Sequence, residues 1–148
     1  MKKKLVPAFL ILMALAFVYL RVQQMRGKPE GVVMRVGSAQ VRVEIADTAE
    51  KQQQGLSDRA TLPENQGMYF PMVSTARHTF WMNRMHFPLD IIWIREEKIV
   101  DISENVPYPL EGETPIAVSP KEPADAVLEV NADFTEKYNI KIGDNARI

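Results

Sequence analysis

Asp90 stands in the run Pro88-Leu89-Asp90-Ile91-Ile92-Trp93-Ile94. A carboxylate in such apolar company is costly unless it is hydrogen-bonded, paired or used in chemistry. Two roles fit it. As a structural group it would accept backbone N–H bonds or pair with Arg59 and fix the turn after Pro88; as a catalytic group it would work with a neighbouring acid, base or arginine. Glu129, between Leu128 and Val130, is the natural partner to consider. Two carboxyls at a suitable separation suit glycosidic substrates. The same alternation also suits Glu129 as a solvent-facing strand residue. Trp81 and Met82, beside Asn83-Arg84, are candidates for the wall of a pocket, whereas Trp93 is assigned to the core. The candidate ligand-binding set is therefore Arg59, Trp81, Met82, Asp90 and Glu129, with Asp90 the candidate catalytic residue.

Other chemistries find less support. The chain has no cysteine, which excludes disulfides, thiolate nucleophiles, cysteine-ligated zinc and a lipid-modified cysteine anchor. His78 and His86 are the only histidines. Pro88 prevents one helix from presenting His86 and Asp90 together, so no metal and no cofactor is expected. Ser57, Ser74 and Thr75 lie outside any Gly-x-Ser-x-Gly elbow, so a serine nucleophile has no recognisable setting.

The elements that must position these residues are mostly strands. Val32–Val36, a Gly37-Ser38 turn and Gln40–Ile45 alternate with period two and predict a half-buried hairpin. Asp47 with Glu50 three residues on forms a capping-box pattern for a short polar helix that Gly55 ends. Leu89, Ile91 and Trp93 face one way and Asp90, Ile92 and Ile94 the other, which predicts a central strand covered on both sides. Glu96-Glu97-Lys98 turns into a partner strand from Ile99. Five prolines between Asn105 and Asp125 predict a long surface loop with one short strand near Ile116–Val118. Ala126–Val130 returns as a strand, Phe134–Tyr138 predicts a short helix, and Ala146–Ile148 closes the sheet after a Gly143-Asp144 turn.

Ahead of this lies a different kind of sequence. Lys2, Lys3 and Lys4 precede an uncharged run, Leu5–Leu20, that ends at Arg21. As a helix it spans roughly 24 Å, enough to cross a bilayer with snorkelling by Lys4 and Arg21. Residues 1–22 are read as a signal-anchor, 23–31 as a linker and 32–148 as the domain. Because Ala14-Leu15-Ala16 has a small-x-small form, cleavage and secretion is the alternative. The expected location is the cytoplasmic membrane, single-pass, with the domain on the extracytoplasmic side. Beyond residue 30 there are twelve basic and eighteen acidic residues, about −6 in all, without a basic cluster. Nucleic acid is not an expected partner.

Several strings in the domain form a pattern: Val43–Asp47, Gln54-Gly55-Leu56, Arg59, Gly67-Met68, Phe80-Trp81-Met82-Asn83, Pro88–Ile92, Leu128-Glu129 and Gly143-Asp144. The stretch resembles the domain-of-unknown-function family numbered 192 over roughly residues 40–146. It departs at Ser57, where many members have methionine, and at Asp133, where glycine is common. The resemblance implies a compact, mainly β, barrel-like domain, often secreted or membrane-tethered in bacteria, with no established mechanism. Together with the patterning it gives a mainly β (β-rich α+β) fold, barrel-like or sandwich, with one or two short helices behind a transmembrane segment. Two functions are carried forward. One is an envelope module, tethered through residues 5–20, that binds a small molecule or a protein partner; the alternative is a hydrolase-like enzyme using Asp90 with Arg59 or another nearby group.

Overall fold

The computed structural model describes residues 31–148, a compact unit of its own. The expected membrane-spanning segment lies outside the described residues. Among those described, no helix is long and apolar enough to cross a membrane.

Nine strands and two short helices build the unit: β1 Val32–Val36, β2 Ala39–Ile45, α1 Ala49–Gln54, β3 Gln66–Ala76, β4 Phe80–Trp81, β5 Leu89–Arg95, β6 Lys98–Val106, β7 Ala117–Val118, β8 Ala124–Asn131, α2 Phe134–Tyr138 and β9 Ala146–Arg147. Seven strands form one sheet in the order β6-β5-β8-β3-β2-β1-β9. A bridge between Lys98 and Asn145 brings the two ends of that order together, so the sheet is a nearly closed barrel rather than a sandwich. The main-sheet pairings are antiparallel except β2 with β3, which run parallel. A parallel pair cannot be joined by a tight turn. The connection from Ala46 to Asn65, containing α1, is this crossover.

Period-two patterning sorts the side chains into two cores. Met34, Val36, Val41 and Val43 from the first hairpin meet Ile92, Ile94, Leu128, Val130 and Phe134 within the barrel. On the other face of the sheet, Met68, Phe70, Ile91, Trp93 and Val127 are covered by Leu56, Leu62, Met82 and Met85 from the connections. β5 is thus buried on both faces, as its sequence predicts.

Local details differ from the sequence reading in instructive ways. Thr48, not Asp47, caps α1: its hydroxyl accepts from the Lys51 N–H at 3.3 Å, while Asp47 instead pairs with Lys51 one turn along. The turn between β5 and β6 places both Glu96 and Glu97 at positive φ, 51° and 60°, the geometry that suits the twist of a two-residue hairpin. Neither glutamate advertises that conformation. The short strand expected in the proline-rich stretch pairs as β7 with β4, forming a separate two-stranded sheet that carries Trp81.

Candidate binding cleft

α1 buries none of its residues, so it is held by polar contacts at its rim. Gln52 donates through Nε2 to the carbonyls of Ala46 (3.1 Å) and Pro71 (3.0 Å), tying the helix to the ends of β2 and β3. Gly55 then reverses the chain at φ 50°, a conformation that costs glycine little. A Cβ there would lie 3.7 Å from the Phe70 ring and 3.9 Å from Glu129 Oε2, so the backbone runs close over both.

This path leaves a cleft of about 480 Å³ beside α1. Gln52, Gln53, Gln54 and Ser57 line one side, and His78, Thr79, Trp81 and Asn83 the other; Phe70, Met72, Phe80 and Glu129 complete it. The two sides are latched at one end. Ser57 donates its hydroxyl to the Asn83 carbonyl at 2.7 Å, the Asp58 N–H reaches the Arg84 carbonyl at 2.9 Å, and Arg84 pairs with Asp58. Phe80 stands edge-on to both Phe70 and Trp93, with ring centroids 5.0 and 5.5 Å apart, and fixes the apolar base.

Glu129 is the unusual group here. Strand register puts it in one row with Glu44, Met68 and Ile91 across β2, β3, β8 and β5. It is 7% exposed, lines the cleft, and has no hydrogen-bond partner among the described residues. Burial pushes its pKa up to about 8, with the positive charge of Arg59 opposing that shift. Burial thus favours the uncharged form, which can donate as well as accept. Arg59 itself is committed elsewhere. Its guanidinium donates two bonds to the Glu44 carboxylate, at 2.6 and 2.8 Å, which holds Glu44 below the usual carboxylate range.

The remaining predicted site residues are dispersed. Asp90 is fully buried: its carboxylate accepts from Asn105 N–H (2.8 Å), Thr135 N–H (2.8 Å) and the Thr135 hydroxyl (2.7 Å). It pairs in register with Val130 of the barrel interior, whereas Glu129 pairs with Ile91 of the outer core. The two carboxyls lie on opposite faces of the sheet. Asp90 thus joins neither Glu129 nor Arg59, because the N-terminus of α2 and the Asn105 backbone satisfy it first. Met82 is buried rather than lining the cleft, since its N–H is tied to the Ile116 carbonyl and its side chain fills the outer core. Trp81, next to it, points the other way and is 66% exposed.

Sequence reasoning missed the glutamine side of the cleft. The one available signal is a short helix with nothing to bury, ending in three glutamines and followed by a glycine. It also missed Asp101, a third buried carboxyl group, which accepts from Lys121 N–H at 2.7 Å and pins the proline-rich stretch.

Comparison with known proteins agrees with this fold. A crystallised protein of unknown function from Novosphingobium aromaticivorans is similar to the chain at 32% identity with a TM-score of 0.68, over 79% of this chain and 84% of that one. A Sinorhizobium meliloti protein described as a candidate transcription regulator is similar at 26% identity with a TM-score of 0.71, over 82% of this chain and 97% of that one. No curated protein matches. The family model described as "Uncharacterized ACR" matches residues 32–148, the whole of the barrel and both walls of its cleft, and the chain belongs to that family, domain-of-unknown-function family 192.

Proposed function

We propose that this protein is a small-molecule-binding module of the cell envelope, held at the membrane by its N-terminal apolar segment, with the cleft over Glu129 as its binding site. The observation that carries the reading is Glu129: a buried carboxyl with no protein hydrogen-bond partner that faces an open, half-apolar cleft. Its oxygens reach the cleft rather than being sealed, so a ligand entering there can bond to them in place of water. The uncharged run from Leu5 to Leu20 supports the tether.

The arrangement does not favour the hydrolase alternative. Asp90 is sealed by three donors, and acid-base cleavage of a glycosidic bond ordinarily needs two carboxyls flanking one site. Only Glu129 among the cleft residues is acidic. The role named for the Sinorhizobium protein is not carried over, because the domain is net acidic and its sequence has no run of basic residues.

A fragment screen of the isotope-labelled full-length protein by NMR tests the site. The expected shifts fall on Gln52–Ser57 and Thr79–Asn83 and shrink in Trp81→Ala. Hits that cluster elsewhere and are indifferent to Trp81 would overturn the assignment.

A further inference from the structure

The lining of the cleft restricts what it accepts. Among the described residues, His78 and Glu129 are its only ionisable side chains, and the His78 Nε2 already meets the Ser74 carbonyl at 2.8 Å. Arg59 acts on Glu129 through its charge from the connection after α1, but it lies outside the lining and is paired with Glu44 through two of its donors. An anionic ligand would find no free cation in the lining. A cation would meet a carboxyl whose burial favours the uncharged form, with the Arg59 charge nearby.

Hydrogen-bonding capacity is nonetheless ample. The Gln52 and Gln54 amide nitrogens are engaged with backbone carbonyls, leaving their oxygens as acceptors. Gln53 and Asn83 have both ends of their amides free among the described residues. Opposite stands one large exposed aromatic ring, Trp81, on a strand anchored by β7. A flat apolar face beside convergent amides and one acid proton suits a ring with hydroxyls at its edge and C–H groups on its face.

We propose that the cleft binds a neutral saccharide, stacked on Trp81 and hydrogen-bonded by the Glu129 carboxyl and the Gln52, Gln53 and Asn83 amides. The inference rests on the cleft being the binding site and adds the class of its ligand.

Three matched trimers test it on the labelled full-length protein, read at the Trp81 indole. The other indole, Trp93, is buried and bonded to Ser103 Oγ at 3.0 Å, so it serves as the internal reference. At pH 6, the N-acetylglucosamine trimer, which is neutral, is expected to bind about tenfold or more tightly than the cationic glucosamine trimer or the anionic β-1,4-linked glucuronate trimer. Glu129→Gln, uncharged and still a donor, should stay within about threefold of the parent, and Glu129→Leu should lose about tenfold. Tightest binding by the cationic trimer, or no change in Glu129→Leu, would overturn the proposal. If no trimer moves Trp81 at ~20 mM while other fragments do, the saccharide class is wrong and the cleft remains the site. Silence from every compound removes both.

Discussion

At the scale of single residues, two of the domain's three buried carboxyls meet opposite fates because of what surrounds them. Asp90 has three donors and no route to solvent; Glu129 has a cleft and no donor. Asp90→Asn turns one acceptor into a donor facing Thr135 and should cost about 2–4 kcal/mol in urea unfolding, with little effect at the cleft. The effect of Glu129 depends on pH. The folded domain keeps its proton up to about 8, whereas the unfolded chain releases it near the ordinary 4.5. Its contribution is therefore fully present below about 4.5, declines as pH rises, and is lost above about 8. The slope is at most about 1.4 kcal/mol per pH unit. Urea titrations at several pH values, parent against Glu129→Gln, should show that slope in the parent and its loss in the variant. A difference between the two that is flat with pH would show that Glu129 stays ionised on folding.

Among the elements, one close approach lies between β3 and β8, where Gly67 sits between Val43 and Val130 of the barrel interior. A Cβ on Gly67 would fall 2.6 Å from the Glu129 carbonyl oxygen and 3.0 Å from Val130 Cγ1. Since backbone cannot give way as a side chain can, Gly67→Ala should cost about 2–3 kcal/mol and displace Glu129, seen as a lower melting temperature and a shifted Trp81 resonance. Strands were the legible part of this molecule. Alternation in Val32–Ile45 and double-sided burial in Leu89–Ile94 follow from side-chain chemistry within each segment. The site was less legible because it depends on which strands become neighbours. Nothing in Leu128-Glu129-Val130 tells that Met68 and Ile91 will flank Glu129 and that the connections after α1 and β4 will roof it. Asp90 was recognised as a costly carboxylate from its neighbours, but its donors come from Asn105 and Thr135, fifteen and forty-five residues further along.

For the whole molecule, near-closure is what protects the sheet from pairing with other copies. β9 covers one edge of β1, and Asn145 bridges to Lys98 at the start of β6. Removing residues 145–148 would uncover both edges, with self-association in light scattering as the expected result. The same closing strand also sets an order in time. Val36 and Ala146 are partners across more than a hundred residues of chain, so the first strand waits for the last to be synthesised before its edge is covered. Such distant pairing makes for slow folding, on the order of milliseconds to seconds. During synthesis the β1–β2 hairpin emerges early, and the outer edge of β1 stays uncovered until β9 reaches it.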